Sequence, residues 1–132
     1  MSTVEPDAAP EKKFLIVVST GADEPKKAFT PFYYAAAAAA MGFETSVFFL
    51  AEGPSLLAPG VAQTIRTSAD GEPLTKVIDL GMKNGVKFLC CSVSAKAIWK
   101  LEEGQLPNGM EFAGAATLLE MSTDPNTVVI YL

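Results

Sequence analysis

Four short runs of apolar residues punctuate this chain: Phe14-Leu-Ile-Val-Val18, Val47-Phe-Phe-Leu50, Val86-Lys-Phe-Leu-Cys-Cys91 and Val128-Val-Ile-Tyr131. They do not alternate apolar with polar. A strand with one face in water alternates, whereas a strand covered on both faces reads as an unbroken apolar run. Between the runs lie segments of helical character, so strands and helices alternate. That order predicts an α/β fold with a mainly parallel sheet of about five strands and right-handed crossovers.

The intervals carry further signals. Thr20-Gly-Ala-Asp-Glu-Pro25 is a turn, with Asp23 a candidate N-cap and Pro25 an early helical position for a helix running to Met41. Pro31 either kinks that helix or starts its main segment with Thr30 as cap. Ala35 to Ala40 are consecutive alanines, strong helix formers that permit close packing. Residues 54–70 read as irregular, with a helical turn near Leu56 and another over Val61 to Arg66. Leu74, Val77, Ile78 and Met82 lie on one face of a helix over Glu72 to Asn84, which Gly85 closes. Ser92 to Leu101 is read as a helix capped by Ser92 or Ser94, Met110 to Ala113 as a short strand and Ala115 to Met121 as a short helix. The polar, proline-containing start of the chain is read as a disordered tail, residues 1–12, followed by a single domain, residues 13–132.

Several function classes are set aside by composition. The net charge is −5 and the ten basic residues are scattered, so no basic stripe suits nucleic acid. The longest apolar stretch, Phe32 to Met41, is too short to span a bilayer. The first residues lack the basic and apolar regions of a signal peptide, and a cytoplasmic location is expected. There is no histidine, which excludes Ser-His-Asp and Cys-His catalysis within one chain and removes the commonest zinc ligand. Neither G-x-G-x-x-G nor G-x-x-x-x-G-K-[ST] occurs, and no cofactor or metal is expected. Hydrophobic residues make up 49% of the chain and charged ones 19%, which suits a sheet buried on both faces or a subunit that covers further surface with copies of itself.

The remaining chemistry lies where the strands end. In an open α/β sheet ligands bind beyond the carboxyl ends of the strands. Those ends are Ser19-Thr20-Gly21, Ala51-Glu52-Gly53 and Cys91-Ser92. Cys91 would stand just before a helix, whose free N–H groups and positive dipole end favour a thiolate. Lys96, in the first turns of that helix, is a candidate source of positive charge, and Lys87 a weaker one. Thr20, Gly21, Glu52, Gly53, Ser92, Ser94 and Lys96 are therefore candidate binding residues around Cys91. Plainer readings stand beside these: Glu52 as a solvated turn residue, the nearby Trp99 as core or subunit interface, and Cys91 as a small buried apolar residue. Cys90, one residue earlier in the strand, points to the other face and reads as core.

Three segments carry a resemblance. Gly85-Val-Lys-Phe-Leu-Cys-Cys-Ser-Val-Ser-Ala-Lys96, with Thr30-Pro-Phe-Tyr-Tyr followed by the alanine run through Gly42, and Ser46-Val-Phe-Phe-Leu-Ala-Glu-Gly53, together resemble the DsrE/DsrF-like family of small intracellular sulfur-relay proteins. The likeness spans residues 13 to 132. It implies a parallel-sheet three-layer fold, a homotrimer or homohexamer, other sulfur-relay proteins as partners, and a persulfide-carrying cysteine at Cys91. The implied function is sulfur carriage or sulfurtransfer. The alternatives are a non-catalytic subunit or small-ligand binding module of the same fold and, third, a peroxiredoxin-like thiol protein. Cys90 departs from the pattern, where a small residue is more usual, and no further cysteine stands by to resolve a disulfide.

Overall fold

The computed structural model describes residues 12–132; of the expected tail over residues 1–12, all but the last residue lie outside the described residues. Five strands, β1 (Lys13–Val18), β2 (Glu44–Phe49), β3 (Lys87–Cys91), β4 (Met110–Ala113) and β5 (Thr127–Tyr131), form one sheet. The order is β4-β3-β2-β1-β5, and every neighbouring pair is parallel. The helices are α1 (Thr30–Ala40), α2 (Val61–Thr64), α3 (Leu74–Lys83) and α4 (Ala115–Ser122).

Handedness explains which face each helix covers. From β1 to β2 to β3 to β4 the chain steps across the sheet in one direction, so right-handed crossovers all lie on one face. The last step runs back from β4 to β5, so α4 must cross the other face. The first face is thick. Ile16, Val18, Val47, Phe49, Phe88 and Cys90 point into it and meet Phe29, Phe32, Ala35, Leu74, Val77 and Ile78. Phe32, Phe49 and Phe88 pack ring to ring, with centroids 5.7–6.4 Å apart. Ala35, Ala36 and Ala38 are buried, the close packing expected of the alanine run. The second face is thin. Leu15, Val17, Phe48 and Leu89 are buried there beneath Leu118 and Met121 of α4 alone.

Several expected boundaries shift, for identifiable reasons. The first helix starts at Thr30, not Pro25, and neither Asp23 nor Thr30 caps it through its side chain. A helix running through from Pro25 would place Pro31 in its interior, where the missing N–H breaks the ladder. In the observed helix Pro31 occupies the first turn, where no N–H is required. Upstream, turns close through Lys27 and Ala28 N–H to the Glu24 carbonyl. The helix expected over Ser92 to Leu101 is shortened to residues 92–98 and widens into a π-type turn over Ser94–Ile98. No side chain caps it. Lys100, at φ +58°, lies in the left-handed region, which stops continuation. The helix α3 ends as expected, with Gly85 at φ +86°.

Lys13, at the start of β1, reaches Asp124 in the turn before β5 at 3.3 Å, and the Asn126 N–H donates to Asp124 Oδ1 at 2.8 Å. That N–H first, and then Lys13, holds the Asp124 carboxyl below its ordinary value. A folded pKa lowered in this way contributes stability above the unfolded value, and the contribution is lost as pH falls through the folded pKa. Asp124→Asn is therefore expected to lower Tm at neutral pH, with the gap to wild type closing on acidification below the ordinary carboxylate range. Paired thermal melts across that range check it.

Candidate functional site

Strand alternation divides the two cysteines. Cys90 is paired with Phe49 and Phe112, points into the thick face and is 0% exposed. Burial first, and then the neighbouring Cys91, push its thiol up to about 12, so it stays protonated. Cys91 points to the thin face, alongside Leu50, Ala113, Leu118 and Met121, and is half-buried.

The connection leaving β3 goes to the thick face, where Ala95 and Leu101 are buried. The connection leaving β4 is α4, on the thin face. Adjacent parallel strands whose carboxyl ends lead to opposite faces leave a crevice between them, the point at which open α/β sheets bind ligands. Cys91 and Ala113, paired in register, are the last residues of those two strands. Gly114 follows Ala113 directly as the N-cap of α4, with no capping side chain. The start of α4 thus lies one residue beyond Ala113, the register partner of Cys91, and the helix covers the face to which the thiol points. Sequence reasoning assigned the supporting helix to the segment after Cys91 and missed α4. The signal needed was strand order, which places β4 next to β3.

The rest of the candidate set falls into two groups. Beyond the carboxyl ends of β1 and β2 the loops are laced together. Ser55 Oγ donates to the Glu52 carbonyl at 2.7 Å and accepts the Ala22 N–H at 2.9 Å. A Cβ at Gly21 would stand 2.7 Å from the Glu52 carbonyl oxygen, and one at Gly53 would collide with the Val18 carbonyl. Both glycines therefore serve close approach of backbones. Thr20 Oγ1 donates to the Leu132 carbonyl at 3.0 Å, tying down the residue after β5. Glu52 is exposed and makes no ion pair among the described residues. Ser92 is half-buried next to Cys91.

Ser94 and Trp99 act on the β2 loop. Ala51 N–H donates to Ser94 Oγ at 3.2 Å, and Trp99 Nε1 donates to the Ala51 carbonyl at 2.7 Å. Ser94 is thus an acceptor for a neighbouring loop and not a helix cap. Lys96 is not brought to Cys91. Its ammonium pairs with Glu103 at 2.7 Å and lies 4.7 Å from the centre of the Phe112 ring, which shares the face of Cys90. Lys87 is exposed at the other end of β3, four residues from Cys91, or about 13 Å. Among the described residues no group of three or more Cys, Asp or Glu is placed to hold a metal ion, and no helix is long and apolar enough to cross a membrane.

Chemically, the arrangement offers one partly accessible thiol at a sheet edge, helix N–H groups near it and a second thiol withheld on the far face. The family model described as "DsrE/DsrF-like family" matches residues 12–130. An uncharacterized protein of Methanocaldococcus jannaschii, MJ0760, is 29% identical over 120 residues, 91% of this chain but 43% of that protein. The chain thus spans less than half the length of that relative. Among solved structures, the YchN protein of E. coli superimposes with a TM-score of 0.73 at 14% identity, covering 92% of this chain and 99% of that one. Protein MTH1491 of Methanobacterium thermoautotrophicum gives 0.61 at 13% identity, covering 94% and 100%. At these identities the structural matches speak for the fold: the five-stranded parallel sheet with helices on both faces.

The two thiols are expected to separate cleanly. Native protein should take up one equivalent of N-ethylmaleimide, on Cys91, and a second only after unfolding. Cys91→Ser should take up none while folded. Mass spectrometry before and after denaturant checks both.

Proposed function

Because the chain belongs to the DsrE/DsrF-like family, we propose that it is a sulfur carrier in which Cys91 holds sulfane sulfur as a persulfide and passes it to a partner thiol. The observation that carries this reading is the position of Cys91: half-buried and not sealed, at the crevice between β3 and β4, with its neighbour Cys90 kept protonated in the core.

The steps balance without an external oxidant or reductant. The Cys91 thiolate attacks the terminal sulfur of a donor persulfide. A new S–S bond forms at Cys91, the donor's S–S bond breaks, and the donor leaves as a thiolate. An acceptor thiolate then attacks the outer sulfur on Cys91 and releases the Cys91 thiolate. This is the chemistry of thiol–disulfide exchange, governed by thiolate fraction, leaving group and access. The protein's own contribution is positional: one open sulfur, and N–H groups at the start of α4 that suit an anionic outer sulfur. No histidine or paired carboxylate is required for transfer between sulfurs.

Self-association belongs to the same proposal, as a homotrimer or homohexamer. It is supported by apolar side chains left in solvent along the β5 edge: Tyr34 and Met41, beside Ile130 on the thick face, and Val129 and Tyr131 of β5 itself on the thin face, at 43–72% exposure. Single exposed apolar residues are ordinary, but a group of this size on one edge of a small domain favours a covering partner.

One observation favours the small-ligand reading. A cleft of about 410 Å³ opens between Leu56, Leu57, Ile78 and Met82, rimmed by Asp79 and Gln105. Its volume is within the range of small-molecule sites.

Incubation with a low-molecular-weight persulfide is expected to add one sulfur atom to the wild-type protein, located on Cys91 and released by a thiol reductant. Cys91→Ser should load at background level. Equal loading of the two proteins in intact-mass spectra would defeat the carrier reading. Light scattering is expected to give three or six times the monomer mass, and Tyr131→Lys to shift it towards monomer; a wild-type monomer would defeat the proposed assembly.

A further inference from the structure

The two edges of the sheet differ in kind. Natural sheets blunt an edge with a charge, a proline, a bulge or extreme shortness, because unpaired backbone invites another strand. At one edge, β4 is four residues long, carries Glu111 and has the Lys96 ammonium over its Phe112 ring. At the other, β5 reads Thr127-Val-Val-Ile-Tyr131, with no charge and no proline. Its register with β1 is unbroken, so it has no bulge, and among the described residues it pairs on that side only.

The hydrogen bonds to β1 show which way each residue of β5 turns. Lys13 N–H donates to the Asn126 carbonyl at 2.9 Å, and Leu132 N–H donates to the Val17 carbonyl at 2.8 Å. Within a strand, one residue turns its N–H and C=O to one side and the next turns them to the other. Asn126, Val128, Ile130 and Leu132 therefore face β1. Val129 and Tyr131 turn both groups to the open side, and Thr127 turns its carbonyl there. Thr127 N–H is already spent on the Asp124 carbonyl at 3.0 Å. The outward row is thus centred on Val129, the middle residue of the strand.

Both faces beside this row are apolar. On the thin face Val129 and Tyr131 are exposed. On the thick face a groove of about 210 Å³ runs between Ile130 and α1, lined by Phe14, Ile16, Tyr34, Met41 and Phe43 and by no charged side chain. Two copies of net charge −5 repel each other in general, and this edge lets them meet without opposing charges.

We propose that β5 is a two-fold seam: β5 of a second copy of this chain adds antiparallel to it, centred on Val129, and the two sheets become one. Each Val129 N–H donates to the Val129 carbonyl of the other copy, and each Tyr131 N–H to its Thr127 carbonyl. The two-fold axis stands perpendicular to the sheet. Thick face therefore continues into thick face, and the two grooves close towards each other over the seam. The occupant is a second copy because the strand is complementary to itself. Reversed, it sets Val129 opposite Val129, Val128 opposite Ile130 and Thr127 opposite Tyr131, with no like charges opposed. This deepens the proposed self-association and rests on it. A hexamer built from two trimers contains two-fold axes and a lone trimer does not, so the seam selects the hexamer. Cys91 lies on β3, beyond β1 and β2, so the seam does not cover its crevice.

Light scattering and native mass spectrometry on the full chain test the seam. Val129→Pro removes an N–H that bonds nothing within the chain, a position at which an edge strand accepts proline. It is expected to halve the assembly mass, hexamer to trimer, while Cys91 still takes up N-ethylmaleimide as in the wild type. Val129→Lys and Val129→Glu each oppose a charge to its own copy and should halve the mass likewise. Mixed in equal amounts, they should regain the wild-type mass with both kinds of subunit in each assembly. Should Val129→Pro fail to fold, the Lys and Glu variants decide. A mass unchanged by folded Val129→Pro, or no recovery on mixing, overturns the seam. A wild-type trimer would sustain the proposed assembly and defeat the seam. A wild-type dimer that Val129→Pro splits would do the reverse, and a monomer would defeat both. None of these readouts involves persulfide loading.

Discussion

The right-handedness of the β-crossover is the constraint from which the rest of this structure follows. Three successive steps across the sheet in one direction commit α1, α2, α3 and the turn after β3 to one face. The single return step sends α4 to the other. The asymmetry of the two faces, one thick with aromatic packing and one covered by an eight-residue helix, is a result of topology before it is one of sequence. The same reversal creates the crevice between β3 and β4. Cys91 is the last residue of β3, so the more accessible of the two thiols coincides with the reversal in the order of crossovers among the described residues.

Adjacent cysteines with opposite fates illustrate how strongly a strand's two-residue period acts on chemistry. Cys90 and Cys91 share a backbone segment, yet one faces Phe49 and Phe112 in the thick core and the other faces the thin layer. Desolvation raises the pKa of Cys90 and keeps it a neutral, space-filling group. The pair is not a dithiol centre. Side chains on opposite faces of one strand cannot approach each other to form a disulfide without breaking the strand.

The loops at the carboxyl edge show a division of labour among residues that all looked like binding candidates. Gly21 and Gly53 allow two loops to touch, Thr20 anchors the C-terminal residue, and Ser94 and Trp99 hold Ala51 in place. These are supporting roles within the loops. Lys96 is spent on Glu103 and the Phe112 ring. The Lys96 ammonium is therefore not placed at Cys91.

Much of this was legible in the residues themselves. Unbroken apolar runs announce strands covered on both faces, because only a two-sided core makes such runs favourable. The alternation of strand and helix announces a parallel sheet, since parallel neighbours need a crossover. The faces of Cys90 and Cys91 follow from the strand period, and Gly85 marks the end of α3 through its freedom at positive φ. The strand order, however, is a matter of long-range pairing, and no local signal states that β4 lies beside β3 or that β5 returns to β1. The location of α4 beside Cys91, the departure of Lys96 to the far face and the clamp on Ala51 all depend on that order. The last two rest on single hydrogen bonds or ion pairs, between residues 7 to 48 positions apart, whose free energy is small beside that of the core. Only the folded arrangement, settled by burial of the apolar strands, decides which of those weak contacts form.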